Sequence, residues 1–209
     1  MTEDEARAWL VDKLDVSRET ITKLDGYAAL VRDGQTSQNL VSASTLPTFW
    51  SRHIVDSAQL VLLAGKGKDS WLDIGSGAGV PGIVTAILTG ASTILVESRS
   101  RRAAFLQEAA EKLGLSNVRV AFSTVQKLVA NPVDIITARA VAALPALVEM
   151  AWPFAHKETV WLFPKGKSAQ SELASLPRAW QGSWEARTSV TDPESLILVG
   201  RHIRVKSKR

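Results

Sequence analysis

The chain has no cysteine among its 209 residues, and this absence excludes several classes of protein. Without thiols there is no disulfide framework, no thiolate zinc site and no cysteine nucleophile. A chain without disulfides is typical of a reducing compartment. A core of this length can bury most of its apolar surface without cross-links, so we expect one domain with an elaboration.

Long apolar stretches are also missing. No run approaches the roughly 18 apolar residues that a membrane span needs. Residues 1–5 are acidic where a secretory signal would be basic. We therefore predict a cytoplasmic protein with no membrane partner.

Acidic residues are scarce in the last quarter of the chain. Residues 157–209 hold ten Lys and Arg against five Asp and Glu, and the formal net charge of the whole chain is +4. A basic surface attracts phosphate backbones of any sequence. The basic end, with Lys206, Lys208 and Arg209, therefore predicts affinity for nucleic acid, although a solvated tail that aids solubility explains the charge equally well.

The apolar pattern changes along the chain from helical spacing to alternating strands and helices. Apolar residues three and four apart predict two short helices between residues 6 and 31 and a third helix over 46–63. Strands are expected over 71–74, 92–97, 117–122, 133–138 and 159–163. Helices between and after them are expected over about 81–89, 100–113, 142–152 and 168–176.

Two further strands, over 184–190 and 196–205, are joined by the turn 191–194 and predict a closing hairpin. A βα series gives a parallel sheet with right-handed crossovers and helices on both faces. We therefore predict an α/β fold with a mostly parallel sheet that ends in an antiparallel hairpin. Residues 1–64 would form an N-terminal helical extension packed on a core of residues 65–209.

A glycine-rich turn, D-I-G-S-G-A-G-V-P-G at residues 73–82, follows the first of these strands and opens a helix. In such a turn, backbone N–H groups and a helix dipole meet a ligand. Gly77, Gly79 and Gly82 match the G-x-G-x-x-G pattern of dinucleotide-binding folds, and Glu97 ends the next strand, where an acid would hold a ribose. A nicotinamide-dependent dehydrogenase is one interpretation.

A second register, D-x-G-x-G-x-G, places the carboxylate of Asp73 beside the turn. S-adenosylmethionine (SAM) carries a sulfonium and an ammonium but no phosphate, so an acid at this place fits SAM better than a pyrophosphate. Gly75 and Gly77 would leave room for it because they have no Cβ. Glu97 would accept both ribose hydroxyls of the adenosine.

The chain resembles the RsmG (GidB) family of ribosomal small-subunit methyltransferases. The motifs that carry the resemblance are N-L-V-S at 39–42, R-H-I-V-D-S at 52–57, the glycine turn with G-V-P-G-I at 79–83, R-R-A-A-F-L at 101–106, T-A-R-A at 137–140 and K-G-K at 165–167. The resemblance implies a Rossmann-like class I SAM-dependent methyltransferase fold. It also implies transfer of a methyl group from SAM to N7 of a guanine in 16S rRNA of the small ribosomal subunit.

By the same resemblance, Gly75 and Val80 line the cofactor pocket, and Val125 and Gln126 contact the adenine. Position 126 is commonly acidic in the family, and a glutamine oxygen accepts the same hydrogen bond more weakly. Arg139 closes the site near the methyl donor. A cation beside a sulfonium is unfavourable, so we expect RNA or a nearby carboxylate to hold the Arg139 guanidinium away from the sulfur.

We predict Arg139 and Lys165 as catalytic residues, because each follows an apolar strand and so lies at the carboxyl edge of the sheet. Contacts with RNA are predicted for Arg52, His53, Arg101, Lys165 and Lys167. The alternative for His53 is a packed residue held by the carboxylate of Asp56, three positions later on the same helix.

The sequence shows no obvious catalytic dyad or metal cluster, and we predict no metal. Guanine N7 has an in-plane lone pair and no proton, so its methylation needs alignment more than a general base. Side chains cannot reach N7 in A-form RNA, so the target base should be exposed. We expect a monomer acting on 16S rRNA or a small-subunit particle. A non-catalytic RNA-binding module is the alternative.

Overall fold

The structure, a computed structural model, describes residues 1–206, and its centre is a seven-stranded sheet. The strands are β1 Ser70–Ile74, β2 Ser92–Glu97, β3 Val118–Phe122, β4 Val133–Ala138, β5 Ala155–Lys165, β6 Trp180–Thr188 and β7 Leu196–Val205. Their order is β3-β2-β1-β4-β5-β7-β6. Strands β1 to β5 run parallel, and β7 is antiparallel to both of its neighbours, which confirms the predicted fold class.

Seven α-helices, all formed by residues 1–206, surround the sheet. They are α1 Glu3–Leu14, α2 Arg18–Gly34, α3 Asp56–Ala64, α4 Gly82–Thr89, α5 Ser100–Lys112, α6 Leu144–Ala151 and α7 Ala169–Ala174. No helix formed by the described residues has the length and apolar character to cross a membrane.

The strands alternate their side chains between two apolar faces, as the period of two requires. On one face Trp71 and Ile135 pack with Leu60 of α3. On the other, Leu72 and Ile136 pack with Leu147 of α6. Both faces of the sheet are therefore covered by helices, as a parallel sheet needs.

Helices α1 and α2 contribute to the core instead of lying free. Thr2 caps the start of α1 with a capping box, in which the Thr2 hydroxyl accepts from the N–H of Glu5 at 3.1 Å and the Glu5 carboxylate accepts from the N–H of Thr2 at 2.8 Å. Leu10 of α1 and Leu24 of α2 are fully buried in one cluster with Ile83 of α4. The first 34 residues thus share a core with the glycine-turn helix.

The third predicted helix, over 46–63, is wrong as a single element. The chain forms a 3₁₀ turn at Ala43–Thr48, a π-helical turn at Trp50–Val55 and then α3. Pro47 has no N–H to donate within a helix. The Glu3 carboxylate, from α1, accepts from the N–H of Trp50 at 3.1 Å, so the wide turn is capped from outside.

Two strand boundaries also differ from the sequence-based prediction. Strand β5 is longer than the predicted 159–163, because it is paired on both sides beyond its apolar run. Strand β6 lies at Trp180–Thr188 instead of 184–190, and most of its side chains are exposed, so apolar alternation did not mark it. The prediction for β7 is confirmed.

The carboxyl ends of the parallel strands meet at one edge of the sheet. Because β7 runs the other way, its first residue, Leu196, pairs with Lys165 at the end of β5 and with Thr188 at the end of β6. The turn 189–195 therefore reaches the same edge as the glycine turn after β1. Ligands of open α/β sheets bind at this edge.

Candidate active site

The glycine turn after β1 adopts a backbone that favours glycine at three positions. Gly75, Gly77 and Gly79 have φ angles of 69°, 58° and 96°, which residues with a Cβ rarely adopt. The N–H groups of Gly75 and Ser76 donate to the carbonyl oxygen of Val96 at 2.8 and 3.0 Å. These bonds fix the turn beside the end of β2.

Glu97 contacts the turn from the end of β2 and is only 5% exposed. One carboxylate oxygen accepts from the N–H of Gly77 at 3.0 Å, and the other accepts from the N–H of Arg99 at 2.8 Å. The carboxylate thus lies beside the turn, where the ribose-binding prediction requires it. Ribose binding itself stays a prediction.

Asp73 is a deeply buried acid at the end of β1, with 1% of its surface exposed. Its Oδ1 accepts from the hydroxyl of Thr137 on β4 at 2.7 Å. Its Oδ2 is buried without a hydrogen-bond partner among residues 1–206. Burial raises the pKa of Asp73 to about 6, and the hydrogen bond from Thr137 opposes this rise. A cationic ligand near Oδ2 would favour the charged form.

The raised pKa of Asp73 predicts a pH-dependent cost in stability. Since the folded-state pKa lies above the ordinary value of 3.8, protonation stabilises the fold at low pH, and this contribution is lost as pH rises through about 6. Relative to Asp73→Asn, the wild type should lose about 1 kcal/mol of unfolding free energy between pH 5 and pH 7.5. Denaturant unfolding of both proteins measures this difference, and parallel pH curves would contradict it.

Tyr27, the only tyrosine of the chain, connects α2 to the glycine turn. Its ring is fully buried, and its hydroxyl donates to the carbonyl oxygen of Ala78 at 2.9 Å. No role for Tyr27 was predicted from the sequence. A signal was available, because Tyr27 lies three residues after Leu24 on the apolar stripe of α2, and a buried tyrosine hydroxyl needs a partner.

Arg139 directly follows β4, and two groups hold its guanidinium. Its Nη1 lies 3.4 Å from Oδ2 of Asp56, and its Nη2 lies 3.0 Å from Nδ1 of His53. The next residue, Ala140, has a φ of 56°, in the left-handed region, so the chain turns sharply after Arg139. The expected nearby carboxylate is therefore present, and it is Asp56.

His53 links Arg139 to Thr45 through its two ring nitrogens. A guanidinium can only donate, so Nδ1 accepts and Nε2 carries the proton. Nε2 donates to the hydroxyl of Thr45 at 2.8 Å, and this hydroxyl donates to the carbonyl oxygen of Ser42 at 2.8 Å. Burial, then Arg139 and Arg52, lower the pKa of His53 to about 3, which keeps the ring neutral.

The expected contact between His53 and Asp56 is not among the hydrogen bonds of the described residues. Both side chains contact Arg139 instead, because His53 belongs to the π-helical turn Trp50–Val55, where residues three apart do not stack as on an α-helix. His53 is 7% exposed, so little of it could contact RNA. Its role in RNA binding stays a prediction.

Asp56 joins α3 to the turn between β6 and β7. Its Oδ1 accepts from the side chains of Gln59, Ser189 and Thr191, at 3.0, 3.1 and 3.0 Å. The Gln59 amide oxygen also accepts from the N–H of Val190 at 2.9 Å. This segment was predicted only as a hairpin turn, whereas in the structure it contacts Asp56, which in turn contacts Arg139.

Lys165 ends β5 with its side chain turned inward, only 8% exposed. Its Nζ lies 2.8 Å from Oε2 of Glu172 and donates to the carbonyl oxygen of Ala142 at 2.6 Å. Glu172 also accepts from the N–H of Leu144 at 2.8 Å. These bonds hold the segment that follows Arg139. The catalytic and RNA-binding roles of Lys165 stay predictions, and its ammonium already has two protein partners.

A double-mutant cycle separates a structural role of Lys165, its pairing with Glu172, from a role toward RNA. Lys165→Met leaves the largely buried Glu172 carboxylate without its cation, and we expect a loss of about 3 kcal/mol in unfolding free energy. Adding Glu172→Gln should restore much of this stability, measured by denaturant unfolding. If the double variant regains stability but still transfers no methyl group, Lys165 acts on RNA as well as holding the segment that follows Arg139.

The exposed pair Lys167–Glu194 provides the matched control for this cycle. Its atoms approach to 2.9 Å, but the side chains are 75% and 67% exposed. Lys167→Met should therefore change stability by less than about 1 kcal/mol.

An open cavity of about 560 Å³ lies beside Arg139 at this edge. The segment 139–143 and the β6–β7 turn contribute to its walls. Each of its three Arg and Lys side chains lies within 3.4 Å of a carboxylate, in the pairs Arg52–Asp192, Arg139–Asp56 and Lys165–Glu172. Such paired charges suit a neutral ligand with hydrogen-bond donors and acceptors better than they suit a phosphate.

Of the predicted cofactor residues, all within the described part of the chain, Arg139 alone lines this cavity. Val80 is buried in the cluster formed with α4 and α5. Val125 and Gln126 form a 3₁₀ turn after β3 and line a second cavity of about 450 Å³. Their contact with adenine stays a prediction.

The remaining predicted RNA-binding residues are exposed. Arg101 lies in the first turn of α5, and Lys167 lies beyond the end of β5. Lys206, after β7, is exposed as well. Lys208 and Arg209, which the charge argument included, lie outside the described residues.

The strand order and the acid-flanked glycine turn at the carboxyl edge are those of the Rossmann-like class I methyltransferase fold. A SAM-dependent methyltransferase from Aquifex aeolicus has this fold, with a TM-score of 0.59 and 16% identity over 74% of this chain and 92% of that one. Residues 20–196 match the GidB family, rRNA small subunit methyltransferase G. The chain belongs to this family, which confirms the resemblance of its motifs.

Two relatives cover the whole chain. The ribosomal RNA small subunit methyltransferase G of Zymomonas mobilis is 44% identical over 100% of this chain and 98% of its own length. The protein of the same name from Rhizorhabdus wittichii is 46% identical over 100% of this chain and 96% of its own length. Family membership favours the methyltransferase interpretation over the dehydrogenase and the non-catalytic module.

Proposed function

We propose that this protein transfers a methyl group from SAM to N7 of a guanine in 16S rRNA of the small ribosomal subunit. The observation that carries the proposal is the meeting, at one edge of the sheet, of an acid-flanked glycine turn and an open cavity beside Arg139. The family, and the names of the relatives, support the same reaction.

The residues of the turn fit SAM. Asp73 offers a buried carboxylate oxygen with no hydrogen-bond partner among the described residues, a natural counterpart for a cationic ligand. Glu97 would hold the ribose, and Gly75 and Gly77 would let the ligand approach the backbone. When bound, SAM supplies an electrophilic methyl group on a sulfonium.

The chain's own residues then position the guanine. N7 carries no proton, so no side chain needs to act as a base, and alignment supplies most of the rate. Arg139 keeps free N–H groups after its contacts with Asp56 and His53, and these can donate to O6 of the base, which leaves the lone pair of N7 free to attack the methyl group. Asp56 partly neutralises the guanidinium, which reduces its repulsion of a sulfonium nearby.

The proposal also covers the compartment, the oligomeric state, the form of the RNA substrate and the domain organisation. We infer that the enzyme works as a monomer in the cytoplasm, on 16S rRNA alone or within a small-subunit particle. We also infer that residues 1–64 are an extension of a core formed by residues 65–209. Tyr27 and His53 support this inference, because both come from the extension and contact the site of the core.

The test is to map 7-methylguanine in 16S rRNA from cells with and without the gene by mass spectrometry. One modified guanine should disappear and should return with the wild-type gene. The purified protein, given labelled SAM with naked 16S rRNA or with small-subunit particles, then identifies the substrate form. An unchanged methylation map, or a protein that binds RNA but not SAM, would refute the proposal.

A further inference from the structure

A groove separate from the cavity lies at the other end of the carboxyl edge. Its volume is about 570 Å³, and it is formed by residues 38–39, by 98–102 at the start of α5, and by Phe122 at the end of β3. Phe122 pairs in register with Glu97, so the groove adjoins the proposed ribose-binding acid on its outer side.

Phe122 differs from the other phenylalanines of the chain in the exposure of its side chain. The chain has five, and the other four are at most 7% exposed, whereas Phe122 is 64% exposed. A single exposed apolar residue needs no explanation. The surroundings of Phe122 give its exposure meaning, because the groove that it lines contains three arginines.

These arginines, Arg99, Arg101 and Arg102, have no carboxylate within 4.0 Å of their guanidinium groups among residues 1–206. Arg102 donates to the carbonyl oxygen of Asn39 at 2.9 Å, while Arg99 and Arg101 are exposed. Basic residues at the start of a helix oppose the helix dipole, and the first turn of α5 has no acid to offset them. Folding gives no reason for this arrangement, whereas an anionic partner does.

The contrast with the cavity beside Arg139 indicates which part of an RNA each site fits. The cavity has its cations paired with carboxylates and suits a neutral base. The groove has unpaired cations beside an exposed aromatic ring, and this combination recognises single-stranded nucleic acid, with phosphates on arginine and a base stacked on the ring. A base that leaves its stack to enter the cavity also gives up its stacking contacts with the bases on either side.

We propose that the groove binds a single-stranded RNA segment beside the target guanine, with a base stacked on Phe122 and phosphates on Arg99 and Arg101. This inference rests on the proposed function, because it takes 16S rRNA as the ligand. It adds Phe122 as the residue that recognises a flanking base.

The test compares Phe122→Ala and Phe122→Trp with the wild type, using in vitro transcribed 16S rRNA. Phe122→Ala should raise the KM for RNA by about tenfold, the loss of one stacked base, while kcat and SAM affinity stay unchanged. Phe122→Trp should keep the wild-type KM. Arg99→Ala and Arg101→Ala should each weaken RNA binding and reduce its salt slope by about 1.

Two exposed residues elsewhere provide matched controls. Val129 is 85% exposed and Arg178 is exposed, so Val129→Ala and Arg178→Ala remove similar groups outside the groove. Both should behave as the wild type. A fall in SAM affinity with unchanged KM for RNA would overturn the proposal and make the groove a rim of the cofactor site. Wild-type behaviour of every groove variant would overturn it as well.

Crosslinking separates this proposal from the proposed function. With 4-thiouridine-labelled 16S rRNA, the tryptic peptide 120–127 should carry the adduct in the wild type and lose it in Phe122→Ala. If the wild-type protein transfers no methyl group, the proposed function fails while the crosslink still reports on the groove. If methylation proceeds but residues 120–127 never crosslink and KM is unchanged in the variants, only the groove proposal fails.

Discussion

Replacing Gly75 with valine should abolish SAM binding. The residue has a φ of 69°, and a Cβ built on it would lie 2.6 Å from Cγ2 of Val141. A branched side chain would therefore strain the turn and push the segment that follows Arg139. The same side chain would occupy the space that the ligand needs beside the backbone. Titration calorimetry with SAM should show no measurable binding.

Gly90→Val is the matched control for this prediction. Gly90 has a φ of 67°, nearly the same backbone, but a Cβ there would meet nothing within 4 Å. The left-handed strain should lower its stability by about 1–2 kcal/mol, while its SAM affinity stays at the wild-type value. Thermal melts establish that both variants are folded, and normal SAM affinity in folded Gly75→Val would refute the prediction.

Gly77 offers a finer comparison within the same turn. Its φ is 58°, and the nearest atoms to an added Cβ are 3.8 Å away, so the free protein has room for a methyl group. Gly114, with a φ of 64°, provides the control. If Gly77→Ala loses more SAM affinity than Gly114→Ala, the difference measures the space that the ligand itself requires.

The sequence was sufficient for the features that depend on local pattern. The glycine turn, the acids at the ends of the first two strands and the closing β7 are read from neighbouring residues, and the structure places each of them as expected. The parallel direction of these strands and the helices on both faces follow from the βα alternation, whereas the observed strand order does not, because more than one order satisfies the same alternation.

The side-chain partners of the site residues could not be predicted from the sequence, because most of these contacts join residues far apart in the chain. Asp56 and Arg139 are 83 positions apart, and Asp56 and Thr191 are 135 apart. No spacing rule predicts such pairs, since the sheet brings them together only after its strands are assembled. Lys165 and Glu172 are close in sequence, but Glu172 lies on a helix of six residues with little apolar pattern, so the direction of its side chain could not be predicted.

The irregular turn at Trp50–Val55 shows how an outside contact overrides a local pattern. The apolar spacing over 46–63 is that of a helix, and the residues do form consecutive helical turns. The turn widens where the carboxylate of Glu3 accepts from the N–H of Trp50. The widened turn contains Arg52 and His53, and both line the cavity beside Arg139.

Arg139→Lys should leave the protein folded and lower its turnover by about 100-fold, the usual result of a small misplacement of reacting groups. The guanidinium of Arg139 contacts Asp56 and His53 through different nitrogens. A lysine has one ammonium on a flexible chain, so it cannot hold both contacts and still present a well-oriented donor to O6 of guanine. The charge beside Asp56 remains, which is why we expect the fold to survive.

Single-turnover methylation with saturating SAM and 16S rRNA measures this effect, beside a thermal melt of each protein. Arg187→Lys is the matched control, because Arg187 pairs with Glu185 at 2.9 Å on the exposed strand β6. That variant should keep the wild-type rate and melt. A near-normal rate in folded Arg139→Lys would remove Arg139 from the reaction, whereas a collapsed melt would mean that its contacts with His53 and Asp56 serve the fold.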